Sequence, residues 1–103
     1  MQNTDAVTSL AALAQDTRLT IFRLLVATGA NGLAVGKIGE ALSVAPATLS
    51  FHLKELAHAG LITSRQEGRF VYFAANYAAM SDLLAYLTEN CCAGASCTPA
   101  SCC

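Results

Sequence analysis

Apolar residues recur along this chain at helical spacing first and at strand spacing only once. Val7, Leu10, Ala11 and Ala14 form a short stripe that predicts a first helix, capped by Thr4 or Asp5. Asp16 is placed to cap a second helix carrying Leu19, Phe22, Leu25 and Val26 on one face, and Gly29-Ala30-Asn31-Gly32 ends it. A third helix is expected from about Val35 to Leu42, burying Ile38 and Leu42. Ser43-Val44-Ala45 then makes a connection of the length found between the two helices of a helix-turn-helix. Pro46 suits the first turn of the next helix, where a missing N–H costs nothing. That fourth helix runs to about Ala59, with Leu49, Leu53 and Leu56 as its buried stripe, and Gly60 stops it.

The period then changes. Residues 61–65 read as a strand, Gln66-Glu67-Gly68-Arg69 as a turn, and Phe70-Val71-Tyr72-Phe73 as a returning strand, so a β-hairpin is expected. Asn76 is a cap for a last helix bearing Met80, Leu83, Leu84 and Leu87 at i, i+3, i+4 and i+7. The pattern stops after Glu89. The fold class that follows is mainly α with a β-hairpin wing, a winged helix-turn-helix of about five helices.

A step of about 100° per residue sorts the fourth helix. With Leu49 at the centre of the buried face, Leu53 and Leu56 lie within about 40° of it, while Ala47, Ser50, Phe51 and Lys54 fall at roughly 100° to 200°. Small, hydroxyl-bearing and cationic side chains on an outer face suit a DNA major groove. Ser50 can bond base edges or phosphate, Lys54 can neutralise phosphate, and Phe51 can meet thymine methyl groups. Most outer faces are merely solvated, but a large outward ring needs a partner. Ser43, Pro46 and Thr48, around the helix start, complete the DNA-reading set. His52, near 300° on the core edge, reads first as a structural hydrogen-bonded histidine and joins the set by its place at the rim. Arg65 and Arg69 flank the hairpin turn, where a wing touches backbone or minor groove.

Charge changes this picture little. The net charge is −1, and the stretch from 33 to 72 has Lys37, Lys54, Arg65 and Arg69 against Glu40, Glu55 and Glu67. An excess of one positive charge there would not by itself indicate nucleic acid. Composition adds more. Hydrophobic residues make up 54% of the 103, but 20 are alanines and charged residues only 13%. Helices so poor in charge leave apolar faces to spare, which implies a homodimer. MQNTDAVTSL has neither the basic end nor the apolar run of a signal peptide, and no stretch reaches membrane-spanning length, so a cytoplasmic protein with no membrane partner is expected.

All five cysteines, at 91, 92, 97, 102 and 103, fall in the last thirteen residues. A disulfide scaffold would scatter them through the fold. The expected organisation is therefore a DNA-binding and dimerisation domain over 1–90 and a flexible cysteine-rich sensing tail over 91–103. Soft thiolates select soft acceptors, and the small residues between Cys92 and Cys97 allow Cys91, Cys92 and Cys97 to converge on one ligand. Trivalent arsenic wants three thiolates, and the neutral centre they form sits more easily at a helix C-terminus than a doubly negative four-thiolate metal. Cys102 and Cys103 either form a second site or fray.

The order of elements and the stretches LAQDTRLTIFRLL, IGEALSVAPATLSFHLKELAHAGLI and RQEGRFVYF resemble the ArsR/SmtB family of metalloregulatory repressors. The resemblance implies a homodimer built from the first and last helices, placing two recognition helices on palindromic double-stranded operator DNA. It also implies release when an inducer binds. Two familiar sensing sites of that family are missing here: GLAVGKIGEAL carries no Cys-Val-Cys unit, and residues 76–90 offer Asp82 and Glu89 but no histidine. The tail looks like that of arsenic-responsive members with cysteines after the last helix, which makes As(III) or Sb(III) the expected inducer. Cadmium, lead, monovalent copper or thiol oxidation are the alternatives. A thiol enzyme would want a cation near its nucleophile, and none follows Arg69. No enzyme and no catalytic cofactor are expected. A thiol-rich sequestration protein would not need the outward Phe51 or the arginines of the wing.

Overall fold

The structure, a computed structural model, describes residues 1–94. Its elements are α1 (Asn3–Leu13), α2 (Asp16–Thr28), β1 (Leu33–Ala34), α3 (Val35–Leu42), α4 (Pro46–His58), β2 (Ile62–Glu67), β3 (Phe70–Ala75), α5 (Tyr77–Leu87) and a single turn at Cys91–Gly94. Helices α2, α3 and α4 enclose the core. Ile21 and Leu25 of α2, Ile38 of α3, Leu56 of α4 and Leu61 beyond it are sealed from solvent, and Leu49, Leu53, Ile62 and Ala75 close around them. Leu42, expected to be buried, is only partly covered and packs on the edge of this cluster.

The expected hairpin is part of a three-stranded antiparallel sheet in the order β1-β3-β2. The extra strand pairs Leu33 with Phe73 and Ala34 with Tyr72. Two residues are too short to show alternation, so nothing in the pattern announced it. The wing strands are also longer than expected, with Gln66 and Glu67 in β2 pairing with Val71 and Phe70. The turn shrinks to Gly68-Arg69, and Gly68 takes the positive φ of 62° that suits the first position of a tight II′ hairpin turn.

Two caps differ from expectation. Gln2, rather than Thr4 or Asp5, precedes α1, and its N–H donates to Asp5 Oδ2 at 3.0 Å from the third helical position. Gln15, rather than Asp16, caps α2 by accepting from the Arg18 N–H at 2.9 Å, which leaves Asp16 in the first turn, where its charge meets the helix dipole. Asn76 caps α5 as expected, accepting from Ala79 N–H at 3.2 Å, while its amide donates to Gly60 O at 2.9 Å. The Tyr77 hydroxyl reaches the last turn of α2, donating to Val26 O at 2.8 Å. This fixes α5 to the core through its first turn.

The stripes of α1 and α5 face outward. Val7 is 56% exposed, Leu10 41%, Leu84 54% and Leu87 53%, and only Ala6, Ser9 and Leu83 of these two helices are buried. Between α1, α2 and α5 lies an apolar cleft of about 460 Å³ lined by Leu13, Leu19, Phe22, Val26, Met80 and Leu84. No helix among the described residues is long and apolar enough to cross a membrane.

Candidate nucleic-acid interface

The turn between α3 and α4 sets the angle of α4. Ser43 closes α3 in the left-handed region at φ 55°, and the N–H of Val44 returns to Gly39 O at 3.1 Å. Gly39 lets the two helices approach: a Cβ there would lie 3.2 Å from Val44 O and 3.3 Å from Leu49 Cδ2. Ala45 then holds extended backbone, and Pro46 opens α4 in the position where its missing N–H has no intrahelical partner to lose.

Helix α4 docks on the core through Leu49, Leu53 and Leu56, as its periodicity requires. The opposite face is open. Ser43, Pro46, Ala47, Thr48, Ser50, Phe51 and Lys54 are all exposed, and of these Ala47, Ser50, Phe51 and Lys54 share the outer face. Phe51 is 55% exposed. Lys54 has no ion pair among the described residues, and its charge is open to an incoming anion.

His52 stands apart from this set. Its ring is buried, edge-on to Phe51 at a centroid distance of 5.4 Å, and its Nδ1 lies 3.3 Å from Nη1 of Arg18. Arg18, thirty-four residues earlier in the chain, gave no local signal of this partnership. The two wing arginines also separate. Arg65 turns back on the protein, donating to Asn31 O at 2.7 Å and to Glu67 Oε2 at 3.2 Å, with its guanidinium 4.7 Å from the Tyr72 ring centroid. In this arrangement it braces the wing against the loop before β1. Arg69, at the tip, has no hydrogen bond or ion pair among the described residues and is exposed.

At the other end of the chain, Cys91 and Cys92 follow α5 in a turn that holds Asn90, Cys92 and Ala93 at positive φ, and their Sγ atoms lie 3.5 Å apart. Cys92 is disulfide-bonded in this structure. Cys97, Cys102 and Cys103 lie outside the described residues. Among the described residues, no group of three or more His, Cys, Asp or Glu side chains is placed to hold a metal ion.

A family model described as a helix-turn-helix domain matches residues 13–65, from the end of α1 through most of β2. Among curated proteins, the chain is 38% identical over 61 residues to an uncharacterized HTH-type transcriptional regulator, YceK, of Bacillus subtilis (strain 168). That match covers 59% of this chain and spans 60% of the length of YceK. Among solved structures, HlyU from Vibrio cholerae N16961 is 33% identical, with a TM-score of 0.67 over 84% of this chain and 97% of that one. An ArsR-like transcriptional regulator from Rhodococcus sp. RHA1 superposes with a TM-score of 0.71 at 24% identity, over 88% of this chain and 82% of that one. The chain belongs to the helix-turn-helix domain family and has the winged fold of the ArsR-like transcriptional regulators.

Proposed function

We propose that this protein is an operator-binding transcriptional repressor that acts as a homodimer and leaves DNA when As(III) or Sb(III) binds its C-terminal thiolates. The DNA-binding half rests on α4, whose apolar side is fully docked while its outer side offers hydroxyls, a lysine with no ion pair among the described residues and a large ring. The wing adds Arg69 at its tip. The homodimer rests on the exposed Val7, Leu10, Leu84 and Leu87 and the apolar cleft beside them, a surface too greasy to leave in water. A second copy covering it would present two α4 helices side by side.

The observation supporting arsenic is the Sγ–Sγ separation of 3.5 Å at Cys91 and Cys92. Once the disulfide at Cys92 is reduced, two sulfurs so placed can each reach one acceptor at the roughly 2.3 Å of a metal–thiolate bond. Cys97 supplies the third thiolate, with Cys102 and Cys103 in reserve. Because the site follows α5 and not α4, its ligand acts on the dimer-forming helix. It weakens DNA binding through a coupling free energy of about 1–3 kcal/mol. The disulfide at Cys92 favours a second reading, in which thiol oxidation is the signal.

Gel shifts with the region upstream of its own coding sequence test both. Under strict reduction, arsenite should release the wild-type protein, while Cys91→Ser, Cys92→Ser and Cys97→Ser proteins should bind the duplex and stay. Release by peroxide but not by arsenite overturns the arsenic reading in favour of oxidation. Normal arsenite response in all three variants removes the site altogether.

A further inference from the structure

Arg18, in the first turn of α2, directs two of its nitrogens into the protein. Nε donates to the carbonyl of Ala12 in the last turn of α1 at 2.7 Å, and Nη1 meets Nδ1 of His52 on α4 at 3.3 Å. A guanidinium has donors and no acceptor. It therefore selects the neutral imidazole whose lone pair is on Nδ1, and the ring's single N–H must then sit on Nε2.

The placement of Nε2 follows by elimination. It has no hydrogen-bond partner among the described residues, yet every sealed side-chain nitrogen or oxygen there has one. Nε2 therefore reaches solvent, although His52 as a whole is only 7% exposed. The ring is held against Arg18 at Nδ1 and against the half-exposed Phe51 at 5.4 Å, so its direction is fixed before any ligand arrives.

We propose that Arg18 is a positioning residue for DNA binding, which locks His52 in the Nε2–H tautomer and so presents a preset neutral donor to an operator phosphate oxygen. The proposal rests on the DNA-binding reading of α4. A phosphate fits better than a base because His52 lies at the rim of the helix, off the face carrying Ser50 and Lys54, where the backbone flanks the groove. The bond from Arg18 to Ala12 also ties this donor to α1, so the rim of the reading helix moves with the end of that helix.

Three measurements test it. Long-range ¹H–¹⁵N spectra of the free protein should show a pyridine-type Nδ1 and a pyrrole-type Nε2 at His52, and Arg18→Lys should blur that assignment. His52→Asn keeps an acceptor near the Nδ1 position for Arg18 but has no donor at Nε2. It should melt like wild type and bind a labelled upstream duplex about fivefold to tenfold more weakly for each α4 engaged. His52→Gln, whose amide extends to the Nε2 position, should bind more tightly than the Asn variant. No cation is lost in either, so the dependence of affinity on salt should keep its slope, whereas Lys54→Ala should lower that slope by about one for each α4 engaged. A Nδ1–H tautomer in the wild type, or wild-type affinity in His52→Asn, overturns this proposal alone. If the wild-type protein fails to prefer the upstream duplex over a scrambled one, the DNA-binding reading falls and takes this proposal with it.

Discussion

Gly32 and Gly60 share a positive φ and differ in what surrounds them, which makes them a matched pair. Both have φ of +78°. A Cβ built on Gly60 meets nothing within 4 Å, whereas one on Gly32 collides with the carbonyl oxygen of Phe73, lies 2.9 Å from its carbon and 3.2 Å from Ala74 Cβ. Gly60→Ala therefore reports the conformational penalty alone. Left-handed backbone disfavours alanine by about 1–2 kcal/mol, and a stiffer unfolded chain returns about 0.4–1, leaving a net loss near 1 kcal/mol. Gly32→Ala carries the same penalty and must also move the Phe73 carbonyl. That carbonyl belongs to β3, and Leu33, the residue after Gly32, pairs with Phe73 across β1 and β3. Relief therefore separates β1 from β3, at about 1 kcal/mol for each ladder hydrogen bond lost. The expected total is about 3 kcal/mol.

In urea, followed by far-ultraviolet circular dichroism, the Gly60→Ala midpoint should fall slightly and that of Gly32→Ala by about three times as much, with slopes unchanged. In thermal melts the shifts should be about 4–8 °C and about 12–24 °C for a domain of this size. Equal destabilisation of the two variants, within about 0.5 kcal/mol, would refute the claim that β1 is held against β3 by the absence of a Cβ at Gly32. Gly29→Ala, with nothing within 4 Å but at φ 102° and ψ 176°, a region essentially closed to residues with a Cβ, should lose more than Gly60→Ala.

Leu56→Ala, at a site with no solvent exposure between α2 and the wing, should lose about 2–5 kcal/mol in the same urea assay. Asn76→Ala removes both the cap on Ala79 N–H and the bond to Gly60 O, and should lose about 1–2 kcal/mol, with α5 amides exchanging faster than those of α2. Phe51→Ala should leave stability within about 0.5 kcal/mol, because the ring is largely in water, yet weaken binding of the upstream duplex about tenfold; a large loss of stability with unchanged binding would reverse the role given to this side chain.

What the sequence revealed divides by distance along the chain. Leu49, Leu53 and Leu56 face the core because residues three and four apart share a helix face, a rule that needs no knowledge of what they pack against. The same rule laid out the outer face of α4, with Pro46 at its start and Gly60, at positive φ, just past its Ala59 cap. The strand β1 was hidden because two residues carry no period, and its existence depends on β3, nearly forty residues later. The caps lie one to three positions earlier than expected: Gln15, a longer side chain than the favoured Ser, Thr, Asp and Asn, accepts from the Arg18 N–H, while Gln2 begins α1 with its own N–H bonded to Asp5.

Arginine is the sharpest case. Arg65 and Arg69 were equivalent on the sequence, two cations flanking one turn. The fold gives Arg65 a carbonyl from the loop before β1, a carboxylate two residues on and an aromatic ring, so it holds the wing in place. It leaves Arg69 at the tip with none of these among the described residues. Arg18, which no sequence pattern singled out, joins the end of α1 to the rim of α4. Each of these roles depends on a partner brought close only by folding, in the case of Arg18 across thirty-four residues. A charge count over 33–72 is therefore a poor guide to the surface that meets DNA: of the arginines there, one is engaged by the protein itself and one is available. On the proposed DNA-binding reading, the electrostatic contribution falls mainly to Lys54 and Arg69, and a double Lys54→Ala, Arg69→Ala protein should lose more of its salt dependence than any variant at Arg65.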